Sequence, residues 1–294
     1  MKQIKILIIK LGYSETLDPE IGKYVSLGDV LRTTPILSAL KDKYNNSHIS
    51  WLVSQEAEPL VYNNKFIDRL LIWDDFVPFQ LLSEKFDIVI NLEKVSGLCA
   101  LSDKIEAWNK YGFRFDNQTG NYDGYEQSLK FIDYINQKSI GNTSSNCWQK
   151  SLIELLGLKW KKQNYSLGYI PKTKEIYDVG LNYQVGKKWP QKAMPIKKWK
   201  KLTKKLDKNN ISYSWQEGLN SIYEYIDWIN SCKTIVTQDS LGLHLALALN
   251  KKVIALFGPT SSNEVCFHKN SVVLNAKDKD MNNIKIKDIL KGIK

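Results

Sequence analysis

Residues 233–258 read KTIVTQDSLGLHLALALNKKVIALFG. An apolar, β-branched run ends at Gln238-Asp239-Ser240, an apolar helical stretch follows, and a second apolar run closes the segment. Continuous apolar strands joined through a helix mark a parallel sheet covered on both faces. The same rhythm runs outward from this unit. Upstream, residues 178–183 (DVGLNY) and 211–215 (ISYSW) read as strands, and 195–209 (PIKKWKKLTKKLDKN) and 220–232 (NSIYEYIDWINSC) as helices. Nearer the N-terminus, 4–10 (IKILIIK), 48–53 (HISWLV), 67–73 (IDRLLIW) and 86–93 (FDIVINLE) are further strands. A helix over Asp29 to Lys41 places Val30, Leu31, Ile36, Leu37 and Leu40 on one side. From about residue 114 to 146 the rhythm breaks, with 125–137 (YEQSLKFIDYINQ) as one helix inside the break. A helix over 148–158 then closes the first half.

Strands alternating with helices predict an α/β protein with doubly wound sheets. With 294 residues there is material for two cores. Pro171 and charged residues interrupt the pattern between Gly168 and Lys174, which predicts domains at 1–168 and 169–294. No apolar run approaches the roughly 20 residues of a membrane span. The chain enters its first strand without a signal-peptide pattern, so the expected location is the cytoplasm. Cys99, Cys147, Cys232 and Cys266 lie far apart, with no C-x-x-C pair, and are expected to be free thiols. His48, His244 and His268 are too few and scattered for a histidine metal centre. The net charge of +11 suits an anionic partner, whether a phosphorylated small molecule, an anionic membrane surface or nucleic acid. The lysines from 197 to 208 are read first as a solvated helix face.

In open α/β sheets ligands sit beyond the carboxyl ends of strands. Gly28-Asp29 lies at a helix start, where Asp29 has two readings: an N-cap accepting backbone N–H bonds, or a carboxylate placed as a general base. Asp239-Ser240 ends a strand and begins a helix whose exposed N–H groups make an anion site, with His244 on the first turn. After the strand ending in Asn182-Tyr183, Gly186 precedes Lys187 and Lys188, point charges suited to a diphosphate. The G-x-x-x-x-G-K-[ST] pattern is not met there. GPTS at 258–261 is a fourth turn after a strand. Asp278-Lys279-Asp280 has the form of a metal-holding D-x-D, but no apolar strand leads directly into it.

Four segments together resemble the ADP-heptose:lipopolysaccharide heptosyltransferase family, glycosyltransferase family 9. They are ILIIKLG…SLGDVLRTTPILSALKDKY, ISWLV, GLNYQVGKKWPQKAMPIKKWKKL and TIVTQDSLGLHLALALNKKVIALFGPT. The resemblance implies a GT-B architecture, two Rossmann-like domains facing a central cleft, the N-terminal one on the acceptor side and the C-terminal one binding the nucleotide sugar. It implies an inverting transfer of a sugar, heptose from ADP-heptose, onto a lipopolysaccharide-core or related saccharide, with no metal and no cofactor beyond the donor. By the same resemblance Asp29 is the base, with Gly28 and Arg32 on the acceptor side. Lys187 meets the donor diphosphate, with Lys188 or Lys192 as substitutes. Asp239 bonds sugar hydroxyls, and Ser240, Leu241 and Gly242 hold the diphosphate beside His244. Asn182, Tyr183 and Glu217 complete the donor side, Glu217 towards a ribose. The implied partners are the donor and an anionic, lipid-linked saccharide, with peripheral contact at the inner membrane face and no nucleic acid.

Three departures stand out. Leu241 takes the place of a glycine that the family carries directly after the Asp-Ser pair, Tyr183 stands where the family is small, and residues 214–225 are shorter than the usual nucleotide region. These leave open a transferase of the same fold with another nucleotide sugar, for capsule or natural-product assembly, or a non-catalytic nucleotide-sugar-binding protein. A further departure is residues 13–25, which read as an insertion between the first strand and Gly28-Asp29 and are expected to form a lid or an acceptor-reading loop.

Overall fold

The computed structural model describes residues 2–13, 24–133 and 147–294. The lid expected from the insertion falls mainly on 14–23, outside the described residues. The chain divides into two compact units, Met1–Tyr169 and Ile170–Lys294.

The first unit is built on one six-stranded sheet. Its strands are β1 (Ile4–Ile9), β2 (Ser47–Val53), β3 (Arg69–Ile72), β4 (Lys85–Asn91), β5 (Glu106–Phe115) and β6 (Tyr122–Gly124), in the order β3-β2-β1-β4-β5-β6. All pairings through β5 are parallel, and β6 returns antiparallel. β1 lies at the centre, with Ile8 opposite both Trp51 and Ile90, so both its faces need apolar residues. Leu7, Ile9 and Leu11 pack with Leu52, Val89, Leu81 and Leu98 on one face of the sheet.

The helix expected over 29–41 is two helices, α1 (Leu27–Leu31) and α2 (Pro35–Lys43). Proline at 35 has no N–H to continue the ladder. The Leu31 carbonyl accepts from the Thr34 amide and hydroxyl instead, at 3.1 and 2.8 Å. Short helices α3 (Glu58–Val61), α4 (Val77–Leu82) and α5 (Ser96–Lys104) connect later strands, and α6 (Trp148–Leu155) packs against α2. The expected 125–137 helix begins as a 3₁₀ turn at Glu126–Ser128, is helical through residue 133, and then leaves the described residues.

The second unit carries β7 (Tyr177–Asn182), β8 (Tyr213–Trp215), β9 (Cys232–Gln238), β10 (Lys252–Phe257) and β11 (Val272–Asn275), all parallel, in the order β11-β10-β9-β7-β8. Helices α7 (Ile196–Lys208), α8 (Ile222–Asn230), α9 (Leu241–Ala248) and α10 (Ile286–Ile293) cover it. Trp199, Leu202 and Leu206 of α7 are fully buried against Val179, Leu181 and Val236, whereas Lys197, Lys200, Lys201, Lys204, Lys205 and Lys208 are exposed. The lysine run is therefore a solvated helix face. Its exception is Lys198, whose ammonium folds onto the Ile284 carbonyl at 2.5 Å and onto the Asn282 carbonyl. The free-thiol expectation is met at Cys99 and Cys232, both buried, and not at the other two cysteines.

Candidate active-site residues

Strand order fixes where each sheet opens. In the second unit β7 has β8 on one side and β9 on the other, the 2-1-3-4-5 pattern whose switch point lies between its first and third strands. Helices leave on opposite faces there, so the ends of β7 and β9 border a crevice. Those ends deliver Asn182-Tyr183 and Gln238-Asp239-Ser240.

Asn182 is fully buried and organises the crevice floor. Its amide donates to the hydroxyls of Thr237 at 2.7 Å and Ser240 at 3.0 Å, and its carbonyl oxygen accepts from the Tyr225 hydroxyl. Burial pushes the Tyr225 hydroxyl's pKa up, so it acts as a neutral donor. Gly242 lies on the first turn of α9, where an added Cβ would sit 2.4 Å from the Tyr225 oxygen and 2.5 Å from both Asn182 amide atoms. This requires glycine at 242. The glycine missing at 241 thus has a counterpart one residue on, with its own steric cause.

Asp239 forms an ion pair with Lys192 at 2.6 Å, each side chain 17% exposed. Burial alone would raise the Asp239 pKa. Lys192 outweighs it, with His244 and the Thr260 hydroxyl assisting, and the carboxyl is held below the usual range. Lys192 reaches it because a 3₁₀ turn over Pro190–Lys192 folds the chain back after β7. Of the three lysines considered for an anion, Lys192 is the one brought to Asp239, while Lys187 is exposed and Lys188 lies 6.0 Å from the Trp189 ring. His244 is buried within α9. Ser240 is the N-cap residue of α9 and Leu241 its first residue.

Tyr183 packs edge-on against Trp215, ring centroids 5.1 Å apart, and donates to the exposed Glu217 at 3.2 Å. Gln184 bridges to Gln216. Gln238, which the sequence reading passed over, is fully buried and donates to the Tyr183 carbonyl at 2.9 Å while accepting from the Met194 amide. It fixes the turn after β7. Its only signal was its place beside Asp239, and its lack of charge hid it.

In the first unit the order β3-β2-β1-β4-β5-β6 puts the switch point between β1 and β4. Beyond those ends lies a buried ion pair that the sequence reading also missed, Lys10 and Glu93, 3.0 Å apart. Glu93 Oε1 accepts the Leu11 and Gly12 amides as well, both at 2.7 Å. Burial pushes its carboxyl up, against the pull of Lys10 and of these amides. Neither residue was legible as a pair, since 83 positions separate them and only the register of β1 with β4 joins their strands.

The N-cap of α1 is Ser26, which removes the capping reading of Asp29. Asp29 lies in the first turn, 37% exposed, with Arg32 Nη2 2.8 Å from Oδ1. The Arg32 guanidinium in turn lies 4.5 Å over the Trp148 ring. Gly28 is within α1 and its carbonyl accepts the Arg32 amide at 2.9 Å. Asp280 of the D-x-D sequence is committed to a turn, its Oδ1 accepting the Asn282 amide at 2.9 Å.

Residues 218–294 match the model of glycosyltransferase family 9 (heptosyltransferase). A 44-residue stretch is 46% identical to lipooligosaccharide heptosyltransferase 2 of Haemophilus influenzae and spans 13% of that relative's length. Three solved structures share the fold over nearly all of both chains. E. coli heptosyltransferase WaaC with ADP-2-deoxy-2-fluoro heptose is 15% identical, with a TM-score of 0.66 and 99% of each chain covered. A family 9 glycosyl transferase from Veillonella parvula is 16% identical, with a TM-score of 0.70 over 98% of this chain and 95% of that one. E. coli ADP-heptose LPS heptosyltransferase II is 15% identical, with a TM-score of 0.68 over 99% and 97%. The resemblance read from the sequence holds, and with it the doubly wound α/β fold of both units.

Proposed function

From a chain related to glycosyltransferase family 9 through its residues 218–294, we propose an inverting, metal-independent transfer of heptose from ADP-heptose to a lipopolysaccharide-core or related saccharide. The observation that carries this is where the family match falls: it contains β9, α9 and the Asp239-Ser240 turn at the switch point of its sheet. A diphosphate placed at the start of α9 meets the N–H groups of Leu241 and Gly242, which are fixed before any charge develops. Lys192, or Lys187 and Lys188 from the exposed stretch before it, supplies positive charge. Asp239, kept ionised by Lys192, has acceptor oxygens for sugar hydroxyls. Glu217 and Tyr183 serve the nucleoside side.

On the acceptor side Asp29 takes the proton of the attacking hydroxyl while oxygen bonds to the anomeric carbon and the nucleotide diphosphate leaves. Gly28 and Arg32 border this group, with Arg32 Nη2 2.8 Å from Asp29 Oδ1. The acceptor is an anionic, lipid-linked saccharide met at the inner face of the cytoplasmic membrane, where the +11 charge assists encounter. Asp29→Ala tests the assignment. Transfer should fall at least about a hundredfold, the scale of general-base catalysis, with donor binding retained. Normal turnover would remove Asp29 as base.

Tyr183, which stands where the family is small and is held edge-on against Trp215, motivates a second reading, in which another nucleotide sugar is the donor. A thermal-shift panel of nucleotide sugars separates the two, because a ligand at 100 times its Kd stabilises the native state by about 2.7 kcal/mol. Stabilisation by a UDP- or GDP-sugar and not by ADP-heptose would favour the second.

A further inference from the structure

We propose that Glu93 is a positioning residue for Asp29, acting through Gly12 and Ser26. The inference rests on Asp29 being the base and names what holds that base in place.

The connection is short and made of backbone. Glu93, two residues beyond Asn91 at the end of β4, is 1% exposed. Its Oε1 gathers two successive amides, Leu11 and Gly12, each at 2.7 Å. Successive N–H groups can converge on one anion when a residue of the pair takes the left-handed conformation. Gly12 does so, with φ +89°, a value that glycine adopts without strain. The Gly12 carbonyl then accepts the Ser26 amide at 2.6 Å, and the Ser26 carbonyl accepts the Asp29 amide at 2.9 Å. A Cβ on Gly12 would lie 2.9 Å from both Val25 and Val30, so the junction and α1 share one tightly filled space. This path runs from the end of β4 to Asp29 without using residues 14–23.

Stability alone does not call for a carboxylate here. A buried ion pair can often be replaced by apolar residues of similar volume at no loss. What an apolar replacement cannot supply is an acceptor for two converging amides. Without it, Leu11 and Gly12 lose their fixed direction, and with them the hydrogen bond that begins α1. A base displaced by about 1 Å can lose about a hundredfold in rate.

The test uses the full-length chain with ADP-heptose and a lipopolysaccharide-core acceptor, and compares K10M/E93L, K10M/E93Q, G12A and D29A. The two double variants are equally uncharged and differ in whether an acceptor oxygen remains. K10M/E93L is expected to lose about 30- to 100-fold in kcat with donor KM within about twofold, and its amides at 26–30 to exchange hydrogen at least about tenfold faster. K10M/E93Q should restore kcat to within about threefold and restore amide protection. G12A disturbs the same junction sterically and should match K10M/E93L, which keeps the test available if that variant does not fold. A K10M/E93L protein with native kcat and native exchange overturns the proposal. So does a K10M/E93Q protein as impaired as K10M/E93L. D29A separates this proposal from its premise: it should be inactive with native exchange. If D29A turns over normally, the base assignment fails, while the exchange comparison still decides the role of Glu93.

Discussion

Gly242 has almost no freedom, because the Asn182 amide and the Tyr225 hydroxyl occupy the place of its missing side chain. Gly242→Ala should therefore destabilise by about 1–3 kcal/mol, the usual range for overpacking, and weaken nucleotide binding by displacing Asn182. Denaturant unfolding with an ADP titration would check both, and an unperturbed variant would mean that the turn can relax. Asp239 makes a pH-dependent contribution whose sign follows from its pKa being lowered in the fold. Its unfolded value is near the ordinary aspartate value of about 3.9, so its stabilisation is complete above that pH and is lost as pH falls through the lower folded value. The stability gap between the native protein and Asp239→Asn should hold steady near neutrality and shrink below about pH 4. Urea melts from neutral to acid pH measure it. A gap independent of pH would show that the Lys192 contact does not lower the carboxyl's pKa.

The joint between α1 and α2 turns on Thr34. Its hydroxyl donates to the Leu31 carbonyl at 2.8 Å and accepts the Ser166 amide at 2.9 Å, in a fully buried position. Thr34→Val keeps the shape and strands the Ser166 amide, at an expected cost of about 1–3 kcal/mol. A neutral result would indicate that water or another acceptor takes over. This joint was not legible in the sequence, where apolar spacing ran through residues 29–41 without registering the proline. Strands buried on both faces were legible, since β1, β2, β4, β7, β9 and β10 are each centred on buried apolar residues. β5 was not, because among its ten residues only Gly112 and Phe113 are buried. β11 has four residues and no fully buried one. α10 was not among the helices read from the sequence, although Ile286, Ile289, Leu290 and Ile293 pack into the core. For the site, the rule that ligands lie beyond strand ends led to Asn182 and Asp239. It could not select Lys192 over Lys187, because that depends on how the Pro190–Lys192 turn folds back. Nor could it reveal Glu93, which depends on β1 lying beside β4.

At the scale of the molecule, each unit has its own sheet, core and switch point, and the proposed donor chemistry belongs to the second. ADP should slow hydrogen exchange at residues 182–184 and 239–242, leaving the amides of β1 to β6 near their unliganded rates. Protection confined to residues 2–133 would reverse the assignment of donor and acceptor units. The lengths of the strands carry a consequence of another kind. The four outermost strands, β3, β6, β8 and β11, have three or four residues, whereas the interior strands have six to ten. An outer strand exposes unpaired backbone groups along one side, and a long one is a template for aggregation. Truncated margins give an incoming chain too few amides to grip, and a strong net positive charge keeps neighbouring molecules apart. The protein is thereby protected against edge-to-edge self-association, and lengthening β6 would be the shortest route to losing that protection.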